Sequence, residues 1–312
     1  MFEPTQRQVD TNLEKSMAMF QRAEIGKVPA LEPLQPKRVL LVLDGSTQDE
    51  LGGGIVVRLK QRLDCQVAIL DLSPEFTDTA QGTAPQWAQK LAAETLSLEQ
   101  PEPYERILAA IAEWKAGLVV VPCPLGRDFD SIGADSTGTV IDVLLARSPV
   151  PVLATRAPFH PEGDVFSRLR MMLFGENEAA PIAARWAVGL VHPAGSLELV
   201  LIVEEEFYEN VREAMHSIKP DVQISIESLE NALVQTHVRL HVALQRSSTE
   251  LGFGYALHVH REEERQPLRV DDPASTPPLL VLAHERTDSA SQGRVSSYLR
   301  NSPNPVLVVH VD

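Results

Sequence analysis

Short apolar runs alternate along the chain with stretches whose apolar positions recur at helical spacing, and the alternation begins near Arg38. Val39 to Leu43 is continuously apolar and ends at Asp44-Gly45. Ile55, Leu59 and Leu63 then share one helix face, and Val67 to Leu72 is a second apolar run. Runs of this kind suit strands covered on both faces of a sheet. The same reading gives a helix over Trp87 to Ala93, a short strand over Thr95 to Glu99, a helix over Tyr104 to Lys115 and a strand over Leu118 to Val121. A helix over Thr139 to Ala146 and a last strand over Val150 to Thr155 follow. The pattern predicts a five-stranded, parallel, doubly wound α/β sheet.

The chain then repeats itself. Leu145-Ala146-Arg147-Ser148-Pro149-Val150-Pro151-Val152-Leu153 returns as Leu299-Arg300-Asn301-Ser302-Pro303-Asn304-Pro305-Val306-Leu307, identical at six of nine positions. Each copy reads as a helix end, a proline-fixed turn and a strand. The openings match too, Arg38 to Gly45 against Arg168 to Gly175, but at an offset of 130 residues rather than the 154 found at the ends. The second copy therefore holds 24 extra residues, expected between Leu229 and Pro278, where the pattern is least regular. A helix through Val238 and Leu244, a strand from Phe253 to His260 and a polar loop from Arg261 to Thr276 are predicted there. Leu197 to Val203 and Leu279 to Ala283 read as central strands, and Gly293 to Arg300 as the last helix. The expected organisation is an N-terminal helix with a proline-rich linker over 1–37, one α/β domain over 38–157 and a degenerate second one over 158–312. In the first segment Thr11-Asn12-Leu13-Glu14 fits a capping box and Val9, Leu13, Met17 and Phe20 share a face, before Pro29, Pro33 and Pro36 block regular structure.

Composition narrows the function classes. With 312 residues, 44% of them hydrophobic, the chain can bury two cores. A net charge of -15 with no compensating Lys/Arg cluster argues against nucleic acid as a partner. No apolar run approaches the ~18 residues a bilayer span needs, and Met1-Phe2-Glu3-Pro4 lacks signal-peptide character, so the expectation is a cytoplasmic protein without a membrane partner. Cys65 and Cys123 match no metal or redox spacing and are expected to be reduced.

From residue 38 onward the sequence resembles the universal stress protein family. The resemblance rests on Leu43-Asp44-Gly45-Ser46 at the end of the first strand, on Leu118-Val119-Val120-Val121 as the fourth, and on Gly138-Thr139 opening the helix that leads to Pro151-Val152. It implies two tandem doubly wound parallel five-stranded sheets, universal stress protein-like and adenine nucleotide alpha hydrolase-like, the second copy degenerate with an insertion. Members that bind ATP carry a G-x2-G-x9-G-S/T loop after the fourth strand, whose bare N–H groups and helix dipole favour phosphate. The match here is Gly126 and Gly138-Thr139, with Cys123 at the first glycine and eleven residues between the other two. The resemblance implies Asp44 near the adenosine, Val42 and Leu72 beside the adenine, Gly126 and Gly138 at the phosphates and the Thr139 hydroxyl donating to one of them. The intervening loop holds Asp128, Asp130 and Asp135 against Arg127 alone. Like charges ~4 Å apart at a surface repel by about 4 kcal/mol, so the phosphates need Mg2+ as a bridge unless these carboxylates point into solvent. The second copy has Phe174 where the first has Asp44 and Gln292-Gly293 in place of Gly138-Thr139, and no ATP is expected there. Family dimers pair their last strands, which implies that Pro151 to Thr155 and Pro305 to Val311 pair within this chain as an intramolecular pseudo-dimer; a homodimer stays open.

Several residues carry a plainer alternative. Asp44 ends a strand and could simply cap the next helix, and Gly138 could be a helix-start glycine. Gly52 to Gly54 either admit a close neighbour or delay the helix start to Ile55, the simpler reading. His237 and His241 share a helix face and His258 and His260 a strand face, which could hold zinc if the pairs met; solvated imidazoles are the commoner outcome, and no metal site is assigned. No P-loop, G-x-S-x-G elbow or H-E-x-x-H helix is present, and no catalytic residue is assigned. The expected function is a stress-response or regulatory protein whose first domain takes ATP or a related nucleotide; the alternative is a nucleotide-free scaffold that keeps the tandem fold for assembly.

Overall fold

The computed structural model describes residues 26–76, 84–126, 138–156, 163–175, 177–203, 226–261 and 278–311, with residues 209, 210, 213 and 217. The first half contributes β1 (Arg38–Leu43), β2 (Gln66–Asp71), β3 (Glu94–Leu96), β4 (Leu118–Pro122) and β5 (Val152–Thr155). The second contributes β6 (Arg168–Phe174), β7 (Ser196–Val203), β8 (Gly254–Arg261), β9 (Leu279–Glu285) and β10 (Val306–Val311). The helices are α1 (Gln48–Leu63), α2 (Ser73–Phe76), α3 (Ala84–Leu91), α4 (Pro103–Trp114), α5 (Thr139–Arg147), α6 (Ala180–Leu190), α7 (Ile226–Thr236), α8 (Val238–Leu251) and α9 (Ser289–Asn301).

All ten strands join one sheet in the order β3-β2-β1-β4-β5-β10-β9-β6-β7-β8. Each half is parallel throughout and wound in the same sense, as the apolar runs predict. At the centre β5 and β10 pair antiparallel, Val306 opposite Ala154, Leu307 opposite Leu153 and Val308 opposite Val152. Strand side chains alternate between two cores. Val39, Leu41 and Leu43 face one that runs unbroken into the second half through Leu169, Met171, Leu173 and the inner side of α6. Leu40 and Val42 face the other, covered by Ile107 and Ile111 of α4, by Ile141 and Leu144 of α5 and, in the second half, by Val295 and Leu299 of α9.

Strand registers locate the differences between the halves. Ala68 faces Glu94 and its counterpart Glu198 faces Ala256, so the offset rises from 130 at β1 and β2 to 162 at β3. It is 161 at β4, where Val39 faces Leu118 and Leu169 faces Leu279, and 154 at β5. The insertion thus lies wholly ahead of β8, larger than the net 24, and the second half loses seven residues between β9 and β10, where the first carries its glycine loop.

The glycines of α1 correct the simpler expectation. The helix starts at Gln48 and runs through all three. A Cβ on Gly53 would lie 2.4 Å from the Trp87 ring, so close packing requires that glycine, whereas one on Gly52 would make only ordinary contact with Leu41 Cδ1 at 3.4 Å. The proline-rich stretch from residue 26 has no regular element and straps onto helices of the second half. Leu31 N–H donates to Ser247 Oγ (2.8 Å), Leu34 N–H to the Arg185 carbonyl (3.0 Å) and Gln35 Nε2 to the Gly189 carbonyl (3.0 Å). The predicted helix at Val9 to Phe20 lies outside the described residues. Among the described residues no helix is long and apolar enough to cross a membrane. Cys65 and Cys123 are buried and not joined in a disulfide.

Candidate functional site

In the first half the strand order reverses direction at β1 and β4, and the crevice beyond the carboxyl ends of such a pair is where open α/β sheets take ligands. The chain leaves β1 through Asp44-Gly45-Ser46 and leaves β4 through a cis Cys123–Pro124 bond towards Gly126. Asp44, 1% exposed, links the two exits: its Oδ1 accepts the Ser46 N–H (2.9 Å) and its Oδ2 accepts the Gly126 N–H (2.7 Å). Asp49, in the first turn of α1 where a carboxylate is favoured, accepts the N–H of Asp44 (3.1 Å) and of Gly45 (3.0 Å). Two buried carboxylates therefore fix the turn after β1 through main-chain donors.

Around Cys123 the floor of the crevice is polar. Gln48 Nε2 donates to the Cys123 carbonyl (3.1 Å), while Gln48 Oε1 is buried with no hydrogen-bond partner among the described residues. Arg156, just past β5 and 1% exposed, places Nη1 3.7 Å from Cys123 Sγ. Burial pushes the Cys123 thiol up to about 11 despite this cation, so it stays protonated and unreactive.

Of the residues singled out from the sequence, Asp44 and Gly126 are in direct contact across the switch point. Gly126 has φ +72°, and a Cβ there would lie 2.4 Å from the Phe76 ring, which α2 lays over it. Gly138, with φ +77°, precedes α5, and Thr139 is exposed at its first turn. Val42 and Leu72 are 1% and 0% exposed and pack beneath the crevice with Cys123, Leu125 and Ile141. Thr139 is thus open to solvent beside the Gly138 bend, whereas Val42 and Leu72 present no exposed face to the crevice. Asp128, Asp130 and Asp135 lie outside the described residues. For Mg2+ the described carboxylates fit poorly, since both oxygens of Asp44 and both of Asp49 already accept N–H groups. The sequence reading missed Asp49, Gln48, Phe76 and Arg156; only Asp49, an acid in a helix's first turn, left a signal.

The second half closes the equivalent position. Phe174 replaces Asp44 and packs on Tyr298 of α9 with ring centroids 4.9 Å apart, and the Arg294 guanidinium lies 5.8 Å from the Phe174 centroid. The histidine pairs do not combine. His241 Nδ1 meets Tyr255 Oη at 2.9 Å on one face of β8, whereas His258 and His260, 6.1 Å apart, are on the other. Among the described residues no three His, Cys, Asp or Glu side chains are grouped to hold a metal.

No protein-family model and no curated protein matches the sequence. Solved structures do match. A universal stress protein from Archaeoglobus fulgidus is 15% identical with a TM-score of 0.56, covering 88% of this chain and 96% of that one. A protein of unknown function from Pseudomonas aeruginosa PAO1 is 13% identical with a TM-score of 0.55, covering 88% and 93%. A proposed universal stress protein from Pseudomonas aeruginosa UCBPP-PA14 is 12% identical with a TM-score of 0.55, again covering 88% and 93%. The chain has the fold of universal stress protein structures, at a large distance in sequence.

Proposed function

We propose that the protein is a stress-response or regulatory protein whose first half binds ATP or a related nucleotide at the exits of β1 and β4. The observation that supports this is the meeting of Asp44 and Gly126 across the switch point, beside Gly138 and Thr139, while the second-half counterpart is filled by Phe174 and Tyr298. Asp44 stands in for an anion at the Gly126 N–H. An arriving phosphate competes for that donor, and releasing it frees Asp44 and Phe76, which is a route from occupancy to altered surface. Gly138 and Thr139 would hold the phosphate.

The test is a thermal melt of the full chain with saturating ATP, with and without Mg2+, alongside the Gly138→Asp variant, whose carboxylate would repel phosphate. The expected result is a raised midpoint for the parent protein and none for the variant. A parent midpoint unmoved by ATP overturns the proposal. It would leave the nucleotide-free scaffold, a reading favoured by one specific observation: Asp44 and Phe76 already satisfy and cover Gly126.

A further inference from the structure

At the other end of α1, about 21 Å from Gln48 by helix rise, a second cleft opens between the two halves. Its volume is about 360 Å³, within the range of small-molecule pockets, and it lies at an inter-half boundary where such pockets concentrate. Leu63, Val188, Val191, Leu251 and Phe253 form apolar walls, and Arg62 is the one charged side chain that lines it. Leu251, 43% exposed, is the one large apolar side chain among the described residues that stands open to solvent.

Arg62 is held rigidly but incompletely used. Its Nη1 donates to the Leu190 carbonyl (2.9 Å) and its Nη2 to the Val191 carbonyl (3.0 Å), with the guanidinium 5.3 Å from the Phe166 ring centroid. A guanidinium has five N–H donors, so three have no acceptor among the described residues. Burial lowers the Arg62 pKa and the nearby Asp164 charge opposes that, so the cation sits in a partly desolvated place where one more anion is favourable. We propose that this cleft binds a small apolar monocarboxylate of the size of a medium-chain fatty acid, its chain along Leu63, Val191 and Leu251 and its carboxylate on Arg62. With a net charge of -15 the long-range field opposes such an anion, so the attraction must come from Arg62 at short range. The occupant touches both halves and the strap residue Pro33, and so braces their contact.

Decanoate titrated into the full chain by calorimetry tests this, with decanol as the uncharged comparison and Leu251→Glu as the variant. Leu251 is exposed, so its replacement leaves the fold and melting midpoint unchanged. The expected result is saturable one-to-one binding of decanoate, weakened at least about tenfold both by loss of the carboxylate and by the new Glu side chain. Absence of saturable binding below about 1 mM decanoate overturns the proposal, as does equal affinity for decanol or equal affinity of the variant.

Discussion

His284, near the end of β9, and Cys123, just past β4, occupy the same place in the two halves, and the change of side chain has a titration consequence. His284 is 1% exposed, with Nδ1 3.3 Å from Ser291 Oγ, whose oxygen also accepts the Glu285 N–H (3.2 Å). Burial pushes the imidazole below its ordinary value of 6.5; Arg286 pushes the same way, and Asp288 and Glu285 oppose. The native state thus favours neutral His284, while the unfolded chain takes up a proton as pH falls through 6.5. Stability from this group is present above that pH and lost below it. Urea midpoints should therefore drop between about pH 7.5 and about pH 5.5, and His284→Asn should reduce the drop. An identical pH dependence in parent and variant would exclude His284 as its source.

At the scale of elements, α1 and α3 meet by indentation. The Trp87 indole occupies the space a side chain would take at Gly53. Gly53→Ala gains helix propensity of up to about 1 kcal/mol, but overpacking against a rigid ring costs typically 1–3 kcal/mol, so net destabilisation is expected, read as a lowered thermal midpoint. Restoring the midpoint with Trp87→Leu in the same chain would identify the clash as the cause. This pair also marks what the sequence made legible. Strands such as Val39 to Leu43 are apolar on both faces and declare themselves locally, and the repeated Ser-Pro-x-Pro-Val-Leu fixed the doubling without any structure. The three glycines read as a delayed helix start because Trp87, the partner that requires Gly53, is 34 residues away. Asp44 opposite Phe174 was visible as a substitution, but the ring of Tyr298 that makes it a plug was not. Likewise the prolines at 29, 33 and 36 announced an irregular segment and said nothing of its hydrogen bonds to α6 and α8. Propensity and periodicity report neighbours in sequence; contacts of long sequence separation are set by the fold as a whole.

For the whole molecule the decisive fact is that one apolar core runs from Leu41 of β1 to Leu199 of β7 without interruption at the junction. Arg62 of α1 reaching the Leu190 and Val191 carbonyls at the end of α6, and the strap reaching Arg185 and Gly189, add cross-half bonds. Two halves so joined should unfold together. Trp87 and Trp114 report on the first half and Trp186 on the second, and single-tryptophan variants should give the same guanidinium midpoint as the far-UV signal. Separate midpoints for the two sets would show that the halves melt independently.

The antiparallel join of β5 to β10 carries one more implication. A lone half would offer the bare rim of its last strand to any copy it encountered, and how often that rim was covered would follow the amount of protein present. Here the covering strand is tethered to the same chain, so its local concentration is fixed by the tether. Dilution cannot part these strands, and crowding cannot add a strand along that line; among the described residues the sheet's two edges are β3 and β8.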